Sequence, residues 1–248
     1  MSRLNDFNSN KDVEDPRFPK VKSGQRFFVK EHLDGKKEFL LPKEIQYQLK
    51  TVFRAKAGEK IVLFDGSGSD FISEFDGKST RILEKVLNRR EPDRKLFLFQ
   101  SILKKDKMEW VFQKGTELGV AGFTPILSER SIKKDFKEDR AMKIIKEAAE
   151  QSGRAVLPEL RKILNFKNAL EFVQLERMNA VITDQNSKKH ISETLKESIM
   201  AIFIGPEGGW TEEEIKDAKE CGFKAVSLSR LQLRAETAAI VASAFLIS

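Results

Sequence analysis

The chain has 248 residues but only one cysteine and two histidines. Cys221 alone cannot form an internal disulfide and excludes a cysteine-rich zinc site; it is read as a structural thiol near a helix end. His32 and His190 lie far apart among charged neighbours and are read as surface residues, not as metal ligands or general bases. No run approaches the roughly 20 apolar residues of a membrane span. The first 25 residues contain no apolar stretch, so no signal peptide is expected, and Asp6, Asp12, Glu14 and Asp15 argue against a mitochondrial presequence. A reducing cytoplasm is the default location, with neither a membrane nor a metal expected among the partners.

With 40% hydrophobic residues the chain can bury a core, as one large or two modest domains. The net charge of +7 is a moderate excess. Basic residues cluster at Arg89-Arg90, Arg94-Lys95, Lys104-Lys105 with Lys107, and Lys133-Lys134. Each cluster alone reads as a solvated turn; together they favour a nucleic-acid partner.

Residues 1–25 are polar and proline-bearing and read as a flexible tail. Strands are predicted over 26–30, 36–41, 60–64, 69–75 and 79–87, with a short helix opening at Pro42. Turns at Asp65-Gly66 and Asp76-Gly77 between short alternating runs predict antiparallel hairpins, and a small β-barrel would remove their exposed edges. The charged stretch 88–94, with Pro92, reads as a linker. From Leu96 the pattern becomes strand alternating with helix, which means a parallel sheet with crossovers. Strands are expected at 96–103, 123–127, 180–183, 200–204 and 224–228. Helices are expected at 108–118, 140–152, near 192–197, at 211–221 and from about 235.

Met200 to Glu214 carries the strongest signal. It reads as a buried strand, a loop with Gly205, Gly208 and Gly209, and a helix whose capping box is Thr211 and Glu214. A glycine loop leaving the carboxyl end of a strand is where open α/β sheets bind ligands. This loop has neither the lysine of a phosphate-binding loop nor the Gly-x-Gly-x-x-Gly spacing. Glu207 and the run Glu212 to Glu214 make it acidic, which disfavours a polyphosphate and suits a neutral or cationic ligand. Two more strand ends should converge on it: Thr183-Asp184-Gln185 and the polar turn Leu228 to Arg234, which enters a small-residue helix at Ala235. Gln113, Lys114 and Glu117 share one helical face, and Glu147, Gln151 and Arg154 share another.

Five segments carry a family resemblance. Gln113-Lys114-Gly115-Thr116-Glu117-Leu118-Gly119-Val120, Pro125 to Ser131, Glu147 to Arg154, Ile204 to Gly209, and Leu233-Arg234-Ala235-Glu236-Thr237-Ala238 resemble, in order, the signatures of the RsmE family. That family comprises 16S ribosomal RNA (uracil-N3)-methyltransferases of the SPOUT class, which use S-adenosyl-L-methionine.

The resemblance implies an α/β fold with a small N-terminal PUA-like β-barrel over 26–90 that binds RNA. It implies a SPOUT trefoil-knot domain with a parallel sheet over 91–248. It also implies a homodimer with residues of both chains near the active site, and 16S ribosomal RNA or the small ribosomal subunit as partner. The implied cofactor residues are Thr183, Asp184, Ile204, Gly205, Pro206, Glu207, Gly208, Gly209, Leu228, Ser229, Leu231, Leu233, Arg234, Ala235, Thr237 and Ala238. Arg234 is the candidate to stabilise charge developing on the uracil, and Glu207 could act electrostatically near the sulfonium. Arg26, Lys30, Arg54, Lys104, Lys114, Glu117, Arg130 and Arg154 are candidates for the RNA-facing set. The chain departs from the family where Gly115 replaces a common alanine, Ser229 a common glycine, and Leu231 the first arginine of the last motif. A non-catalytic RNA-binding or ribosome-assembly protein is the rival reading. A nicotinamide-dependent enzyme is disfavoured because Lys104-Lys105-Asp106-Lys107 follows the first strand of the second domain.

Overall fold

The computed structural model describes residues 25–194 and 197–247. The tail expected over 1–25 lies outside the described residues except for Gln25, as does part of the helix expected near 192–197.

The first unit is a curled five-stranded sheet: β1 (Arg26–Phe28), β2 (Glu38–Leu40), β3 (Lys60–Phe64), β4 (Ser69–Phe75) and β5 (Ser79–Leu87). β3, β4 and β5 form the predicted antiparallel meander, while β1 adds to β3 in parallel and β2 pairs with β5. The spatial order is β1-β3-β4-β5-β2, so among the described residues the sheet closes only to a half-barrel. Helix α1 (Lys43–Tyr47) and the π-helical turn Gln48–Val52 add Ile45 and Leu49 to the core of Phe27, Leu63, Phe71 and Phe75.

The second sheet is parallel, with β6 (Lys95–Ser101), β7 (Gly122–Leu127), β8 (Glu159–Leu160), β9 (Leu164–Asn165), β10 (Asn179–Thr183), β11 (Ile199–Ile204) and β12 (Lys224–Val226). Its main order is β12-β10-β11-β6-β7-β8, with β9 also on β7. The central strands are apolar on both faces because helices cover both. Leu96, Leu98, Ile202 and Ile204 pack with α2 (Lys105–Leu118), α3 (Glu138–Ser152) and α6 (Ala235–Ile247). Phe99, Ala201 and Phe203 face α4 (Phe166–Leu175) and α5 (Glu212–Glu220). There the Phe99 and Phe203 rings stack at 4.5 Å. The unusual glycine at 115 has a packing reason: a Cβ there would lie 2.7 Å from the buried Phe123 ring.

The segment between α3 and β10 yielded no expected elements, yet it holds β8, β9 and α4. Helix α4 is amphipathic, with Phe166, Ala169, Leu170 and Val173 buried, and Asn165 caps it by accepting from the Asn168 N–H. The predicted 3.6-residue helix near 192–197 is instead a 3₁₀ turn, Ile191–Glu193, with His190 as its cap.

The expected linker is a buttress between the two sheets. Asn88 donates to both Asp70 carboxylate oxygens at 3.1 Å and to the Gly153 carbonyl at 3.0 Å. Arg26 pairs with Asp70 at 2.8 Å and donates to the Arg154 carbonyl at 2.9 Å. The buried Arg154 side chain turns the other way. It pairs with Glu91 at 2.8 Å and donates to the carbonyls of Thr116 and Val120. Glu91 also accepts from the Ala155 and Val156 N–H groups. Nearby, Glu150 accepts from the Phe28 N–H at 2.9 Å, and burial pushes its carboxyl above the ordinary range. Both arginines are therefore corrected from the RNA-facing set to the joint, where buried acceptors occupy their guanidinium groups.

Losing Arg154 would deprive Glu91 of its countercharge and the Thr116 and Val120 carbonyls of a donor. Arg154→Met should therefore destabilise the protein by about 3–5 kcal/mol, the usual cost of breaking a buried pair on one side. Urea unfolding measures it; a loss below about 1 kcal/mol, the scale of a surface pair, would show that the joint is not held this way.

Candidate active site

β10, β11 and β12 are neighbours and run in the same direction, so their carboxyl ends lie side by side. The loops that leave them open onto one cavity of about 1200 Å³. Thr183 and Asp184 line it from β10, Ile204 to Gly209 from β11, and Leu228, Ser229, Leu231, Leu233, Arg234, Ala235 and Ala238 from the last loop and α6. Of the residues expected there, Thr237 alone is not in the lining. Beyond the expected cofactor set the lining includes, among others, Gln185, already expected at the β10 strand end, and Asn186, then Trp210, Thr211 and Ile215 beyond the glycine loop, and Lys107 and Arg130 from elsewhere in the chain. The first five continue predicted segments; the last two have no local signal.

Each loop is held by identifiable bonds. The Thr183 hydroxyl donates to the Phe203 carbonyl at 3.2 Å, tying β10 to β11. Gln100 lies buried beneath the glycine loop, its amide within 3.5 Å of the Ile204 and Gly205 carbonyls. Gly209 has φ of +69°, a conformation that side chains disfavour, and nothing stands where a Cβ would point. The predicted capping box is present: the Thr211 hydroxyl accepts from the Glu214 N–H at 3.2 Å, and Glu214 accepts from the Thr211 N–H at 2.9 Å. The other oxygen of Glu214 accepts from the Glu129 N–H at 2.9 Å, and Arg130 donates to the carbonyls of Gly208 and Trp210. The turn after β7 is thus fastened to the glycine loop. Arg130, expected on RNA, lies here.

His190 is half-buried rather than merely superficial. Its Nδ1 accepts from the Ser192 N–H, so Nε2 carries the proton and donates to the Leu228 carbonyl at 3.1 Å, at the edge of the cavity.

The electrostatic expectation needs correction. Glu214 is buried as a cap and Glu213 is not in the lining. Four carboxylates (Asp184, Glu207, Glu212 and Glu220) face the cavity together with five cations, Lys107, Arg130, Lys216, Lys219 and Arg234. Local sequence showed only the acidic half of that set. Glu207 turns towards α2, accepting from the Lys104 N–H at 3.4 Å with the Lys107 ammonium at 3.7 Å. The Arg234 side chain is exposed and makes no ion pair among the described residues.

Lys30, Arg54 and Lys104 are exposed. Lys114 and Glu117 pair with each other at 2.9 Å and line a second groove between α2 and α3, with Gln113, Glu147 and Gln151. Among the described residues, no group of three His, Cys, Asp or Glu side chains could hold a metal ion.

The model of the RNA methyltransferase domain family matches residues 89–247. The ribosomal RNA small subunit methyltransferase E of Bacillus subtilis (strain 168) is 31% identical over 240 residues, covering 88% of this chain and 94% of that protein. Among solved structures, the ribosomal RNA small subunit methyltransferase E of Neisseria gonorrhoeae, bound to S-adenosyl methionine, superposes with a TM-score of 0.82. It is 33% identical, covering 89% of this chain and 95% of the other. A Legionella pneumophila protein in complex with the bound cofactor SAM gives 0.81 and 33%, covering 91% and 97%.

Glu214→Ala removes the acceptor shared by the two loops. Hydrogen bonds to a charged group are worth about 1.5–3 kcal/mol, and stability should fall by that order. Amide hydrogen exchange should accelerate at Thr211 and Glu129 together; acceleration at Thr211 alone would show that the turn after β7 does not depend on this carboxylate.

Proposed function

The chain belongs to the RNA methyltransferase family that includes the ribosomal RNA small subunit methyltransferase E enzymes, and from that premise we propose that it methylates N3 of a uridine in small-subunit ribosomal RNA. Methylation of that RNA from S-adenosyl-L-methionine follows from the family; the uracil N3 is our assignment. The observation that carries the reading is the convergence of three strand-end loops on one cavity, within the segment that matches the family.

The residues present fit the cofactor. Ile204, Pro206, Val226, Leu228 and Leu233 offer apolar surface to a nucleoside, and the glycine loop admits close approach without side-chain obstruction. Thr183, Asp184, Ile204 to Gly209 and the Leu228–Ala238 segment would hold it. Once bound, the cofactor supplies a methyl group made electrophilic by its sulfonium. The protein's part is alignment and charge stabilisation. As the uracil imide loses its proton, negative charge spreads over N3 and the flanking carbonyl oxygens. Arg234 would donate to those oxygens; its exposure and the lack of an ion pair to it among the described residues support that role. Glu207, engaged by α2, shapes the glycine loop and contributes negative potential near the sulfonium. No residue is assigned as general base; solvent takes the proton.

The half-barrel over 26–90 serves as the RNA-binding unit and 91–248 as the catalytic one. Lys30, Arg54, Lys104 and Lys114 are the proposed RNA contacts; Glu117 orients Lys114. A uridine in an unpaired region could enter the cavity. Exposed Leu231 and Phe245, 76% and 40% accessible, favour a homodimer packed beside the site, and the knotted threading of the last segment belongs to the same proposal.

Mass mapping of small-subunit RNA from cells with and without the protein should find one methyl group, on a uridine base, only when the protein is present. A methyl on ribose or on another base would overturn the N3 assignment. Arg234→Ala should keep the fold while lowering kcat, at saturating cofactor, about a hundred- to a thousand-fold, the effect of losing one preorganised donor. A near wild-type rate would remove Arg234 from the mechanism.

A further inference from the structure

Three chain segments far apart in sequence meet at one ammonium group. Lys107 occupies the first turn of α2, where the helix dipole disfavours a cation. Its Nζ lies 3.7 Å from the Glu207 carboxylate of the glycine loop and 3.6 Å from that of Glu236 in the first turn of α6. Lys107 also lines the cavity. One observation shows that Glu236 needs the ammonium, and a second ties Glu207 to the start of α2. The Glu236 Oε2 is buried and has no hydrogen-bond partner among the described residues, so the ammonium is its countercharge. Lys104, the N-cap of α2, provides no side-chain cap, and Glu207 reaches across to accept its N–H. Arg234, whose carbonyl accepts from the Ala238 N–H at 2.8 Å, immediately precedes α6, two residues before Glu236.

We propose that Lys107 is a positioning residue for methyl transfer, its ammonium clamping the glycine loop to the first turn of α6 and thereby fixing the backbone that presents Arg234. The inference rests on the methyltransferase reading above. In this proposal Lys107 acts through Glu207, Glu236 and the segments they anchor rather than on the reacting atoms. Its removal leaves the buried oxygen of the Glu236 carboxylate without a countercharge, and the start of α6 relaxes to solvate it.

The test uses the full-length protein, S-adenosyl-L-methionine and small-subunit RNA. Lys107→Met should lower kcat by about 10- to 100-fold, as small misplacements in active sites do, with cofactor Kd rising less than about threefold. Lys107→Arg should restore most of the loss. The double variant Lys107→Met/Glu236→Gln should be more active than Lys107→Met alone, because a neutral amide needs no countercharge. Amide exchange should accelerate at both 105–108 and 236–239 in Lys107→Met and be protected again in Lys107→Arg. Wild-type kcat in Lys107→Met, no restoration by arginine, or a double variant no better than the single would each overturn the proposal. If Lys107→Met fails to fold, Glu236→Gln against Lys107→Met/Glu236→Gln carries the comparison: loss of the ammonium must cost far less once the carboxylate is gone, and a further loss of about 10-fold or more in the double variant would overturn the proposal. A wild-type protein that produces no methylated RNA refutes the function instead, while the exchange pattern still decides whether Lys107 clamps the two segments.

Discussion

The site depends on the buried carboxylate of Glu214. One oxygen caps the start of α5 by accepting from the Thr211 N–H, and the other accepts from the Glu129 N–H of the turn after β7. A helix N-terminus leaves backbone donors without partners, and a carboxylate answers them while complementing the helix dipole. Because the same group also holds a second segment, the exit of β11 cannot move independently of the turn after β7. The glycine loop between them inherits that constraint. Arg130 adds two further bonds from the same turn to the loop's own carbonyls.

Around this fixed point, charge is arranged by tertiary contact rather than by local run. The acidic stretch 212–214 divides into one buried cap and two residues of different surroundings, only one of which lines the cavity. Cations from α2, α5, the turn after β7 and the final loop supply the balance. The result is a cavity of mixed sign, suited to a ligand that bears an amino group, a carboxylate and a sulfonium together. The acidic appearance of the loop in sequence was therefore a poor guide to its field, although the glycines and the cap identified its location.

A second arrangement couples the half-barrel to the parallel sheet. Arg154 offers its carbonyl to Arg26 on one side and its guanidinium to Glu91, Thr116 and Val120 on the other. One residue thus belongs to both units, and Asn88 repeats the pattern with Asp70 and Gly153. In the proposed function, this joint would hold an RNA bound on the first sheet at a fixed orientation to the second.

Strands β1 to β7 and β10 to β12, helices α1, α2, α3, α5 and α6, and the loop positions at 183, 205–209 and 228–235 were legible in the sequence, because each is encoded locally. Period-two or continuous apolar runs, helix caps and glycine turns act within a few residues of where they stand. Helix α4 escaped notice although its apolar spacing is regular; the expected elements stopped at α3 and resumed at β10. The parallel pairing of β1 with β3, the conversion of a charged linker into a buttress, and the burial of Arg26 and Arg154 could not be read locally. So too with the meeting of Lys107 with Glu207 and Glu236. An isolated arginine or lysine has the same local signature whether it faces a phosphate or a buried carboxylate. Only the folded chain, by bringing acceptors distant in sequence within bonding distance, decides which it is.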